Sequence, residues 1–341
     1  MTEELLTAIA LFFKKGIGGA TCKNLLARHG SFLNGVKEER IELEEELKSA
    51  EKVLKTCEKE GITPIPLSQN NYPGLLREIS QPPIVLYVKG SLDFPKTTLS
   101  IIGSRKCSSY GKRTAFRLGK FLSENGITVV SGLALGIDTF AHKGTVEGNG
   151  KGIAVLGSSV DLIYPISNKP LAEKILEKGG TIVSEFPPTT KPSKENFPKR
   201  NRIISGLSLG TIVVEAGEKS GTFITVNYAL EQGRIVFSVP GPIDSPFSRG
   251  TNRLIKEGAV PLVDFEVIFE EIPYLKSLLK KQNEKIPEKY KAVTELLSQS
   301  PKNLDQICKH LKLSVKEAST LLLEMELKNL VKRDGSTYFL I

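Results

Sequence analysis

Six apolar runs of three to five residues recur through the middle of this chain, each closed by glycine, proline or a polar residue, and that alternation leaves few folds open. They lie at Leu99–Ile102, Thr128–Val130, Ile153–Leu156, Thr181–Val183, Thr211–Val214 and Ile235–Val239. Runs this short, rich in Val and Ile and separated by helical or loop stretches, suit parallel strands buried on both faces. The first repeat shows the pattern in full. Leu99, Ile101 and Ile102 are broken by Gly103, Ala115, Leu118, Phe121 and Leu122 recur at helical spacing, and Ile127–Gly132 restores a strand. The expected class is therefore α/β, a Rossmann-like doubly wound, mostly parallel sheet.

In such sheets ligands bind beyond the carboxyl ends of the strands. Here those ends carry Gly103-Ser104-Arg105, Ser131-Gly132, Gly157-Ser158, Ser184-Glu185, Glu215-Ala216-Gly217 and Pro240-Gly241. Between Lys96 and Asn125 there are seven Lys or Arg against Glu124 alone, while Val36–Glu60 is rich in acids. The formal net charge is +9. A local basic excess at a ligand-binding rim favours an anionic guest. No apolar run approaches the roughly 20 residues that span a bilayer, and MTEELL is no basic leader, so a cytoplasmic protein without membrane partners is expected. Cys22, Cys57, Cys107 and Cys308 stand far apart with only three histidines in the chain, so reduced thiols and no metal are expected.

Four segments are expected: a helical front over 1–65, a Rossmann-like domain over 66–272, a lysine-rich linker over 273–286 and a winged helix over 287–341. In the front, Leu5, Leu6, Ile9, Phe12 and Phe13 make one helical face, Gly16–Gly19 breaks it, and Thr21–His29 begins a second helix. Helix, glycine turn, helix is the pattern of a helix-hairpin-helix, but few basic residues follow the turn and plain packing is preferred. Glu38–Lys59 reads as one long charged helix. Prolines 64, 66, 73, 82 and 83 bar a long helix in the next stretch, where Ile84–Val88 reads as an edge strand. At the far end three short helices and a hairpin turning at Asp334-Gly335 make the winged helix. Its third helix, Ser314–Lys328, sets Lys316 and Lys328 against Glu317, Glu324 and Glu326, which argues against strong reading of DNA by that face.

The turn after the first run lacks the second and third glycines of a dinucleotide fingerprint. It still presents amides, the Ser104 hydroxyl and the Arg105 guanidinium at a helix entrance, a phosphate-binding arrangement reinforced by Lys106, Lys112 and Arg113. Lys194, Lys199, Arg200, Asn201 and Arg202 surround Phe197. Cations around an aromatic ring match the chemistry of single-strand binding, in which a groove tracks phosphates and rings stack on bases. Arg200 is read as a phosphate contact, and Asn201 and Arg202 as opening a helix with a mixed structural and binding role. Ser220-Gly221-Thr222 stands at another helix start and suits phosphate in the same way, though no P-loop is present. Asp138 and His142 are read as an ordering hydrogen bond across a helix turn.

GSRKCSSYGKR, SGLALGIDTFAHKGTVE, AVLGSSVDLIYP, FPKRNRIISGLS, VVEAGEKSGTFITVNYALEQGRIVFSVPG and GTNRLIKEGA, in this order and spacing, resemble the DNA-processing protein A (DprA, also called Smf) family. The resemblance is dense from Tyr72 to Ala259. It implies a protein that binds single-stranded DNA without cutting it or using a cofactor, protects incoming DNA, forms a homodimer through its Rossmann-like domain, and helps load the RecA recombinase in natural transformation. The helical front is implied to be SAM- or helix-hairpin-helix-like. Carried over residue by residue, the family's pocket falls on Ser104, Arg105, Gly132, Lys194, Phe197, Arg200, Asn201, Arg202, Ser220, Gly221 and Thr222. The alternative is a nucleotide N-glycosidic hydrolase of the related Rossmann-like group. Thr225 stands where that group has its glutamate and cannot do its acid–base work, which leaves Glu215 and Glu185 as the acids to consider.

Overall fold

A nine-stranded sheet carries the first of two units into which the computed structural model divides, Met1–Glu271 and Ile272–Ile341. Residues 3–276, 288–327 and 330–340 are described. The strands are β1 (Thr63–Pro66), β2 (Val85–Gly90), β3 (Thr98–Ile102), β4 (Thr128–Ser131), β5 (Gly152–Val155), β6 (Thr181–Ser184), β7 (Gly210–Val213), β8 (Ile235–Ser238) and β9 (Val260–Pro261). Their order is β1-β2-β6-β5-β4-β3-β7-β8-β9. From β6 to β9 all neighbours are parallel, and β1 and β2 extend the sheet antiparallel. The chain winds outward from β3 to β6, then returns beside β3 as β7, so the topological switch lies between β3 and β7. The six apolar runs are β3 to β8. The two edge strands are short and carry Pro64, Pro66 and Pro261, which is why hydrophobic patterning alone passes over them.

Twelve helices of this unit are α1 (Glu3–Phe13), α2 (Gly19–His29), α3 (Phe32–Glu38), α4 (Glu44–Glu60), α5 (Gly74–Glu78), α6 (Ser109–Glu124), α7 (Ile137–Glu147), α8 (Lys169–Glu177), α9 (Asn196–Gly206), α10 (Thr222–Glu231), α11 (Arg249–Lys256) and α12 (Val267–Glu271). The helical front is not insulated from the sheet, because Ile9, Leu11 and Leu54 share one buried core with Ile65, Val85 and Leu86. The helix expected over Glu38–Lys59 starts later, at Glu44, after a break that follows α3. Glu4 accepts from the Phe32 and Leu33 amides at 2.9 and 3.0 Å and anchors the start of α3. Arg40 then takes a positive φ of 53°, and α4 starts afresh with Glu44, Glu45 and Glu46 at its positive dipole end. The glycine turn before α2 packs on the sheet domain, where a Cβ on Gly19 would lie 2.1 Å from the Pro82 carbonyl oxygen.

Helices α6 and α7 lie against each other at two glycines. A Cβ on Gly119 would meet the Ala141 carbonyl oxygen at 2.2 Å, and one on Gly144 would meet that of Phe116 at 2.0 Å. Asp138 and His142, on α7, do not bond to each other as expected. The Asp138 carboxylate turns back to accept from the Gly132 and Ala134 amides at 3.1 and 3.3 Å. His142 is fully buried beside Gly152, and among the described residues neither ring nitrogen has a hydrogen-bond partner.

In the second unit α13 (Glu288–Gln299), α14 (Leu304–Leu311) and α15 (Val315–Leu327) pack with an antiparallel sheet of β10 (Lys302–Asn303), β12 (Thr337–Leu340) and β11 (Val331–Asp334), in that order. Asn303 and Gln306 form a reciprocal capping box on α14. Gly335, at φ 58°, turns the hairpin. This is the expected winged helix, with β10 added. Most of the expected linker lies outside the described residues.

Burial holds the His142 imidazole down at about 4, from an ordinary 6.5. The folded chain therefore refuses a proton that the unfolded chain accepts below 6.5. Stability is unaffected above that pH and falls as the pH drops through the window to about 4, by about 3 kcal/mol from this group. Urea unfolding of the wild type across that window should show the loss, and His142→Phe should flatten it.

Candidate nucleic-acid interface

Helix α9 begins earlier than its apolar residues indicate, at Asn196, because Pro198 is tolerated in a first turn whose amides need no intrahelical partner. That start puts the segment from Phe197 to Arg202 on a helix and sorts it by face. Phe197, Asn201 and Ile204 line a cleft of about 670 Å³ at the carboxyl ends of β3 and β7, with the buried Arg200 in its wall. Lys199 and Arg202 lie on another face, in a separate groove with Pro82 and Pro83.

The cleft draws its remaining walls from three loops. After β3 come Ser104, Arg105 and Lys106; before α10 come Ser220, Gly221 and Thr222; and Lys194 precedes α9. The Ser104 amide donates to the Glu215 carbonyl at 2.8 Å, tying the loops after β3 and β7 together across the switch point. Ser220 Oγ accepts from the Thr222 amide at 3.2 Å and donates to Thr222 Oγ1 at 2.8 Å, shaping the start of α10. Helix starts of this kind present amides and a positive dipole end to anions. Arg105 and Lys106 are exposed, as is Lys194, and among the described residues none pairs with an acid.

The Arg105 guanidinium carbon lies 5.0 Å from the Phe197 ring centroid. Phe197 is half-buried, its ring laid on Gly157 so closely that a Cβ there would come within 2.7 Å of it. Tyr164 completes the aromatic wall, 5.8 Å from Phe197 at 41° and 48% exposed. Sequence reasoning missed Tyr164. Its signal was an aromatic residue in the loop after β5, at the same strand-end rim.

Arg200 requires a correction. It is 3% exposed, donates to the Gly132 carbonyl at 2.8 Å and also to the Val155 carbonyl, and bonds Asn201 Oδ1 at 3.2 Å. Burial lowers its pKa to about 10, opposed by nearby Asp138. Burial likewise pushes the Asp138 carboxyl up, against the pull of Arg200 and its amide donors. This guanidinium ties the ends of β4 and β5 and is not free for phosphate. Gly132 sits behind it, where a Cβ would be 2.6 Å from the guanidinium nitrogens; it is a clearance position and does not line the cleft. Arg202 grips Glu185 with two bonds of 2.6 Å, half of a structural pair on α9's other face.

The hydrolase alternative loses both its acids. Glu185 is held by Arg202 outside the cleft. Glu215, 2% exposed, accepts from the Ser108 amide at 2.9 Å and its hydroxyl at 2.5 Å, while Ser108 caps α6 through the Gly111 amide.

Residues 63–273 match the family model for DNA recombination-mediator protein A. The chain belongs to this family. Residues 281–335 match the DprA winged helix domain. The DNA processing protein DprA of Bacillus subtilis is 42% identical over 234 residues, 68% of this chain and 78% of that protein. The Smf protein of Escherichia coli is 44% identical over 228 residues, 67% of this chain, which spans 61% of that relative's length. The crystal structure of DprA from Streptococcus pneumoniae aligns with a TM-score of 0.61 at 38% identity, covering 67% of this chain and 81% of that one. A DprA structure from Helicobacter pylori, described for its single-stranded DNA binding mode, aligns with a TM-score of 0.56 at 28% identity, covering 64% and 96%. DprA-family members act on DNA in recombination, and the fold described above is this chain's version of that architecture.

Two substitutions separate the roles of the cleft residues. Arg200→Ala orphans two carbonyls and leaves Asp138 buried without its counter-charge, and should destabilise the protein by about 3 kcal/mol in denaturant unfolding. Gly157→Ala should leave the fold intact, because the atom it strikes is a movable ring, yet displace Phe197. Its unfolding midpoint should match the wild type while a fluorescent single-stranded oligonucleotide binds more weakly.

Proposed function

We propose that the cleft between β3 and β7 binds single-stranded DNA, and that the protein works without catalysis of its own. In this reading it acts in the cytoplasm as a homodimer through its Rossmann-like domain, protects incoming DNA and helps load the RecA recombinase in natural transformation. The observation that carries the binding role is Arg105 stacked on half-buried Phe197, with Lys106 and Lys194 unpaired nearby. Phosphates meet three free cations and the amides at the start of α10. An unpaired base meets the faces of Phe197 and Tyr164.

The chemistry favours single strands for a physical reason. In a duplex each base face is already stacked on its neighbour, so the aromatic wall has nothing to receive, whereas a free base gains roughly 1–3 kcal/mol there. The solved Helicobacter pylori relative, described by its single-stranded DNA binding, supports the same reading. Transformation and RecA loading rest on the likeness to the DprA family, and the homodimer rests on the same likeness.

Fluorescence anisotropy of a labelled oligonucleotide at two salt concentrations tests the reading. Wild type should bind tightly and weaken steeply with salt, by about 0.7 log units of affinity per log unit of salt for each phosphate held. Arg105→Ala should lose roughly tenfold or more, and duplex of equal length should compete poorly. Salt-insensitive binding, or equal affinity for duplex, would falsify this groove.

A further inference from the structure

Outside the cleft, the exposed face of α6 and α7 repeats its chemistry. Phe140, half-buried on α7, lies between two lysines: Lys112 Nζ on α6 is 5.7 Å from its ring centroid and Lys143 Nζ on α7 is 5.1 Å. Arg113 stands exposed beside Lys112. Among the described residues Lys112, Arg113 and Lys143 form no ion pair, while Lys120, further along α6, is matched by Glu124 at 3.7 Å. Two cations held over one ring repel each other and are retained without a carboxylate to neutralise them, an arrangement that suits a chain of phosphates and bases. The close approach at Gly119 and Gly144 is what makes the two helices present one surface.

This face is continuous with the cleft. Lys106, a cleft residue, leads directly into α6 through the cap at Ser108. The first turn of α7 is fastened to the cleft loop itself, since the Ile137 amide donates to the Ser104 carbonyl at 3.2 Å and Gly136 abuts the Ser104 and Arg105 carbonyls.

We infer that single-stranded DNA leaving the cleft at Lys106 continues over α6 and α7, with Phe140 as a second stacking position between the phosphate contacts Lys112 and Lys143. The inference rests on the proposed single-strand role of the cleft and adds a path and a longer footprint to it. A strand filling only the cleft never reaches Phe140. A longer one engages both positions, and its second engagement is intramolecular, so its affinity rises steeply with length.

The test compares oligothymidylates of about 6 and about 20 nucleotides, spanning the range of single-strand site sizes, with wild type, Lys112→Gln/Lys143→Gln, Phe140→Leu and Arg105→Ala. The two lysines are exposed, so their double variant should keep the wild-type unfolding midpoint. It should bind the short oligonucleotide as wild type does, lose roughly tenfold on the long one, and lower the salt slope for the long one by about 1.4. Phe140→Leu should weaken the long oligonucleotide with little change in slope. Unchanged binding of the long oligonucleotide by the lysine variant overturns the inference, as does an equal loss at both lengths. Failure of the wild type to bind either length overturns the cleft reading as well, which separates the two failures.

Discussion

The buried guanidinium of Arg200 is the contact on which the site depends. It reaches from α9 to the carbonyl ends of β4 and β5 and lies near a buried carboxylate on α7. Those partners belong to three consecutive stages of the sheet's winding, so one side chain fixes where α9 enters relative to the strand ends. With α9 fixed, Phe197 falls one turn earlier on the same helical face and lies over Gly157. Arg105, arriving from β3, then finds a ring to stack upon. The buried cation is costly to desolvate, and its hydrogen bonds to carbonyls are what offset that cost.

Charge in this unit is divided between two duties. Arg200 and Arg202 hold the fold, the first through carbonyls and the second through Glu185. Arg105, Lys106 and Lys194 pair with no acid among the described residues and line the cleft. Glu215 and Glu185, the acids near the rim, are engaged by Ser108 and Arg202, so neither pairs with Arg105, Lys106 or Lys194 and those cations stay available to an anion.

Much of this was legible in the sequence because the physics was local. Buried parallel strands are dominated by apolar residues, so β3 to β8 announced themselves, and the glycine, proline or polar residue ending each run marked the rim. The turn at Gly335 was equally plain. What stayed hidden was direction. A basic cluster such as Lys199–Arg202 looks uniform along the chain, and only the start of α9 at Asn196 decides that Arg200 is buried while Lys199 and Arg202 turn to another face. Tyr164 was hidden for a related reason, since its ring meets Phe197 across a separation of more than thirty residues that spacing does not encode. The pair expected between Asp138 and His142 failed because nearby backbone amides, exposed by the turn before α7, compete better for the carboxylate.

The prolines at the rims of the large sheet bear on how copies of this protein can meet. At one edge β1 is Thr-Pro-Ile-Pro, and at the other β9 is two residues ending in Pro261. A strand interrupted by residues without an N–H makes a poor template for another strand. Open sheet edges under crowding seed fibrous aggregates. With both rims blunted, edge-to-edge pairing of these sheets is disfavoured, and the large sheet ends at its own rims.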